Sequence, residues 1–215
     1  MSPQASLREC AGWYGKIPTL GDFVMRHLPL SFVEPWDEWL SFELSEAQQM
    51  LGDTWDETWR GAPIACFSLG ARVVDERSWH GVLVPSTDRV GRQFPLTITL
   101  SFPSCAGLHL ASSAAPAPSA QAWWAALVAT GRRALVPGCD ANAIDEALSE
   151  FLSRQGAVML TSTGSGGAQP EAASVDTGIS TWSSWRDDDF APGTPVSLVG
   201  LPRGTTFRQL LRSTR

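Results

Sequence analysis

The sequence predicts an α/β domain of three layers, in which a mixed central sheet is covered by helices on both faces. Three observations carry this. Helical periodicity appears near the start, the middle and the end of the chain. Short strand-like runs lie between the helices. Those runs are almost continuously apolar, as strands must be when both faces of their sheet are covered. A chain of 215 residues can bury on the order of 70% of its unfolded surface in one core, and no repeat or linker divides it. The expected organisation is a flexible tail over 1–11 and a single domain over 12–215, with a mobile polar loop at 161–174.

Taken in order, the stretch from Trp13 to Leu20 is short, apolar and broken by Pro18. A helix follows from Leu30. Ser31 and Glu34 have capping-box spacing, and Trp36, Trp39, Leu40, Leu44 and Ala47 recur every three to four residues. Pro35 is placed in the first turn, where a missing N–H costs little, and Gly52 closes the helix. Asp53 starts a short turn, DTWDETW. Three strands are then expected in APIACFSLG (62–70), SWHGVLVPS (78–86) and QFPLTITLSF (93–102). An Ala/Ser/Pro connection leads to a helix from Ser119 to about Leu135. A second helix is capped by Asp140, with Ile144, Leu148, Phe151 and Leu152 on its apolar face. Strands are expected at 157–160, Ile179–Trp185 and Pro195–Leu201, and a last helix at Thr205–Leu211.

A net charge of −6 and a sequence pI near 5.0, with arginines scattered along the chain, argue against a nucleic-acid partner. Four cysteines (Cys10, Cys66, Cys105 and Cys139) stand far apart with no zinc-type spacing. They read as free thiols of a reducing compartment. No signal-like or membrane-spanning apolar run is present, so a cytoplasmic protein with no membrane insertion is expected. The Asp187–Asp189 run reads as a solvated turn. No metal and no cofactor is expected.

The chain has a single lysine, Lys16, beside fifteen arginines. Its loop, GKIPTLGDFVMRHLP, is not a phosphate-binding loop, because the lysine does not end a GxxxxGK[ST] stretch. A second stretch, PSTDRVGRQFPL, has the same design of Gly and Pro with charges at short intervals. One reading is that Lys16, Asp22, Arg26, Asp88, Arg89 and Arg92 meet and neutralise one another, with Asp22 or Asp88 accepting from Lys16. The other is that Asp22, Arg89 and Arg92 line a groove for another protein. A hydrolase or a small-anion binder using the Ser86/Asp88/Arg89 loop is the alternative, with His80 or His27 as base; no GxSxG elbow supports it.

The stretches GWYGKIPTLGDFVMRHLP, WDEWL, APIACFSLG, GVLVPSTDRVGRQFPLTI and VGLPRGTTFRQLL resemble the TagF (ImpM) family associated with bacterial type VI secretion, over about residues 12–212. The resemblance implies a three-layer α/β domain acting in the cytoplasm as a post-translational repressor. Its implied partner is the forkhead-associated scaffold protein, Fha, and no catalytic activity is implied. The matching positions include Lys16, Asp22, Phe23, Arg26, Trp36, Trp39, Ser86, Asp88, Arg89 and Arg92, expected to bind the partner or to support the motifs. Trp36 and Trp39 are candidate anchors of the docking surface.

Overall fold

The computed structural model describes residues 11–101, 118–161, 177–188 and 190–212. The tail expected up to residue 10 and the loop expected from 162 to 174 lie outside them. Ala11 and Thr161, expected in that tail and that loop, fall instead at the ends of a strand and a helix.

Eight strands form the sheet: β1 (Ala11–Gly15), β2 (Val24–Arg26), β3 (Ala65–Leu69), β4 (Trp79–Val84), β5 (Leu96–Ser101), β6 (Ile179–Arg186), β7 (Ala191–Pro192) and β8 (Val196–Val199). Their order is β2-β1-β5-β4-β3-β6, with both β7 and β8 beside β6. The α/β class stands, but each pairing among the described strands is antiparallel where a mixed sheet was expected. Short links turn β3, β4 and β5 back on one another, and only long crossovers would make them parallel.

Helices cover both faces. On one lie α1 (Leu30–Leu51), the short α2 (Trp55–Arg60) and α5 (Thr205–Leu210). On the other lie α3 (Pro118–Ala134) and α4 (Ala141–Thr161). Alternation along the strands feeds the two cores. Phe67, Leu69, Trp79, Leu83 and Trp182 pack with Trp36 and Phe207. Cys66, Val82, Leu96 and Ile98 pack with Trp124, Leu127 and Leu148. A tryptophan buries roughly 150–250 Å², so each one is among the largest single contributions to either core. Their indole N–H groups find acceptors: Trp36 donates to Thr97 Oγ1 at 2.9 Å, Trp39 to the Pro202 carbonyl at 2.8 Å and Trp182 to Ser180 Oγ at 2.9 Å.

Three local expectations are corrected. Among the described residues no side-chain cap is seen at the start of α1. Pro29, in extended backbone, precedes it, and Ser31 donates to Asp75 Oδ2 at 3.0 Å instead of forming a capping box with Glu34. Pro35 lies in the second turn, where it leaves the Ser31 carbonyl without its helical donor. Residues 157–160 continue α4 instead of forming a strand, because a four-residue apolar run does not by itself separate the two conformations. The two-residue β7, formed by the turn-back of β6, was not expected.

Candidate functional site

Both charged loops leave the same end of the sheet. Tyr14 at the end of β1 pairs with Thr97, and Val84 at the end of β4 pairs with Leu96, so the chains continuing into Lys16 and Pro85 flank the start of β5. Gly15 allows the crossing. Its φ is 137°, and a Cβ there would lie 2.1 Å from the Pro95 carbonyl oxygen.

Asp88 is the centre of the site. Its side chain has 0% exposure, with Lys16 Nζ 3.1 Å and Arg92 Nε 2.7 Å from Oδ2. Oδ1 accepts the backbone N–H of Val90 at 3.0 Å and of Arg92 at 2.8 Å. Burial alone would raise the Asp88 pKa. The hydrogen bonds from Arg92, Lys16 and Val90 outweigh it and hold the carboxyl well below the usual carboxylate range. The 88–92 turn is fixed further by Asp88 N–H to the Arg92 carbonyl and Gly91 N–H to the Asp88 carbonyl, both 3.0 Å. It is sewn to the first loop by Arg89 N–H to the Leu20 carbonyl at 2.9 Å and by Arg92 Nη2 to the Gly21 carbonyl.

The acceptor of Lys16 is therefore Asp88. Asp22 is exposed and accepts the N–H of the next residue, Phe23, at 2.8 Å. Lys16 Nζ also sits 4.8 Å from the centre of the Phe23 ring, which stacks on Tyr14 and meets the edge of Phe94. Ser86 supports the same corner through its backbone: its carbonyl accepts Phe94 N–H at 3.1 Å and Trp59 Nε1 at 3.2 Å, while its buried hydroxyl has no hydrogen-bond partner among the described residues.

Other expected positions lie apart. Arg26 reaches Asp145 on α4 at 3.5 Å, where His27 Nε2 at 3.5 Å and Trp13 Nε1 at 2.8 Å share the carboxylate. Trp36 and Trp39 are core residues with 0% and 3% exposure. Their spacing was that of a buried helix face, so they are no anchors of a docking surface. The arrangement for a nucleophile is not assembled: His80 is fully buried in mid-strand with Nδ1 2.9 Å from Ser68 Oγ, and both Asp88 oxygens are taken by Lys16, Arg92 and backbone N–H groups. Burial pushes the Cys66 thiol pKa up, away from a reactive thiolate. Asp187 lies in the β6–β7 turn, where it accepts from Arg132 and from Trp185 Nε1.

Glu43 escaped the sequence reading. It lies on the buried face of α1 with 1% exposure, accepts Gly204 N–H at 2.7 Å and has Arg203 Nη1 3.7 Å away, tying the C-terminal segment to α1. The signal was a charge set in an apolar stripe, between Leu40, Leu44 and Ala47.

Among curated proteins, none matches the chain. The fold is similar to the crystal structure of PA0076 from Pseudomonas aeruginosa PAO1, with a TM-score of 0.69 and 25% identity over 94% of this chain and 93% of that one. Residues 12–151 match the family described as TagF N-terminal domain, type VI secretion system-associated, a span that includes both charged loops and the Asp88 centre they build. The chain belongs to that TagF family of type VI secretion-associated proteins.

Proposed function

We propose that this protein is a non-catalytic cytoplasmic regulator that represses type VI secretion after translation, by docking on the forkhead-associated scaffold protein, Fha. Family membership supplies the secretion context. The observation that carries the binding mode is the state of the signature charges. Lys16, Asp88 and Arg92 satisfy one another in a fixed knot, which suits a rigid shape held out to a partner more than a centre of bond making. Ser86, the nucleophile of the alternative reading, has no hydrogen-bonded base at its hydroxyl among the described residues.

Binding is tested by titrating the purified chain with purified Fha from the same bacterium. Repression is tested by overproducing the chain in secreting cells and assaying export of secretion substrates. Association with micromolar or tighter affinity, together with reduced export, is the expected result. Absence of association, or hydrolytic turnover lost in Ser86→Ala, overturns the proposal.

A further inference from the structure

The turn that closes over Asp88 presents more positive charge than the site neutralises. Lys16 and Arg92 share the one buried acid, Asp88. Arg89 makes no ion pair among the described residues, whereas Arg92, three positions on, reaches Asp88. Its Nη2 lies 3.7 Å from where a Cβ on Gly21 would be, and Arg92 Nη2 is bonded to the carbonyl of that same glycine. Two guanidinium groups thus gather over Gly21, both exposed, in a chain whose net charge is −6. Beside them on the same tip, Val90 is 66% exposed, and Phe23, two residues past Gly21, is 43% exposed.

The backbone beneath is held by the Asp88 hydrogen bonds, so the tip is already ordered before anything binds. Preorganisation of this kind removes part of the entropy that docking a loop otherwise costs. An exposed guanidinium with no ion pair among the described residues, carried on a backbone held by the Arg89 N–H to Leu20 carbonyl bond, suits a carboxylate, which it meets with two parallel hydrogen bonds. An aliphatic side chain beside that carboxylate would cover Val90.

We propose that the 88–92 tip, with Arg89 as its charged contact and Val90 and Phe23 as its apolar flank, docks an acidic segment of the scaffold protein. This rests on the scaffold-binding reading given above and assigns a place to it. Arg89 is the specificity contact. Arg92, through Asp88, positions the turn.

The test compares Arg89→Glu with Arg77→Glu, a control at another exposed arginine whose side chain makes no ion pair among the described residues. Affinity for purified Fha is measured by calorimetry, and melting temperature is measured alongside. Arg89→Glu is expected to raise Kd by about tenfold or more with melting unchanged. Arg77→Glu, which makes the same change in charge, is expected to stay within about twofold. Wild-type affinity should also fall more steeply with salt than that of Arg89→Glu. Arg89→Ala, with a smaller loss in the same direction, serves if the glutamate variant folds poorly. Equal effects at the two arginines, or wild-type affinity in the Arg89 variants, overturn this placement and leave the scaffold reading standing. No association of the wild-type chain overturns both.

Discussion

Asp88 accepts from two cations and two backbone N–H groups while its own side chain is fully shielded from water, so losing the carboxylate leaves the buried Lys16 ammonium without its partner. Asp88→Ala strands Lys16 in a site where it is 5% exposed, and we expect a loss of about 3–5 kcal/mol. In a chain of this size that lowers the melting temperature on the order of 10 °C, readable by calorimetry. Lys16→Met is milder, about 1.5–3 kcal/mol, because the carboxylate keeps Arg92 and both N–H groups. The depressed Asp88 pKa sets a pH dependence. An aspartate in the unfolded chain titrates at about 3.9, so the contribution of Asp88 is complete above that pH and is lost as pH falls towards the lower folded value. Acid titration of stability should show a steeper fall below about pH 4 in the wild type than in Asp88→Asn. The meeting of the two loops was legible from their shared pattern of glycine, proline and charge. The choice of Asp88 over Asp22 was not, because it depends on which carboxylate the turn directs inward.

The close pairing of β1 against β5 depends on Gly15, where a side chain meets both a positive φ and the Pro95 carbonyl. At Gly138 the φ is also positive, 87°, but the space around it is open. Gly138→Ala should cost only the backbone strain, about 1–2 kcal/mol. Gly15→Ala should cost several times more, since β1 must back away from β5; denaturant midpoints of the two variants check this. At this scale periodicity read well. The apolar stripe of α1 and the continuous runs of β3, β4 and β5 stand where their patterns put them, because burial dictates both the pattern and the structure. What failed was the local signal. Ser31 left its capping position for Asp75, a tertiary contact, and the apolar run at 157–160 was too short to tell strand from helix and continues α4.

Two cores on opposite faces share one sheet, so neither can melt while leaving the other's strands in place. Trp36→Ala on one face should cost about 3–5 kcal/mol, and Leu127→Ala on the other about 2–5 kcal/mol. Each should lower a single transition on which tryptophan fluorescence and far-ultraviolet circular dichroism coincide; separated transitions would mean independent halves. The layered class was legible because both helix stripes and doubly buried strands show in the sequence. Strand order was not, since it is set by pairings such as β3 with β6, more than a hundred residues apart. That pairing has a practical consequence for anyone preparing shortened forms. The family match ends at residue 151, yet Trp182, Trp185, Phe207 and Leu211 fill the cores from beyond it, and β6 occupies the flank of β3. A polypeptide stopped at 151 would keep the whole Asp88 knot in its sequence and still be a poor reagent, with a bare, sticky seam along β3 inviting self-association.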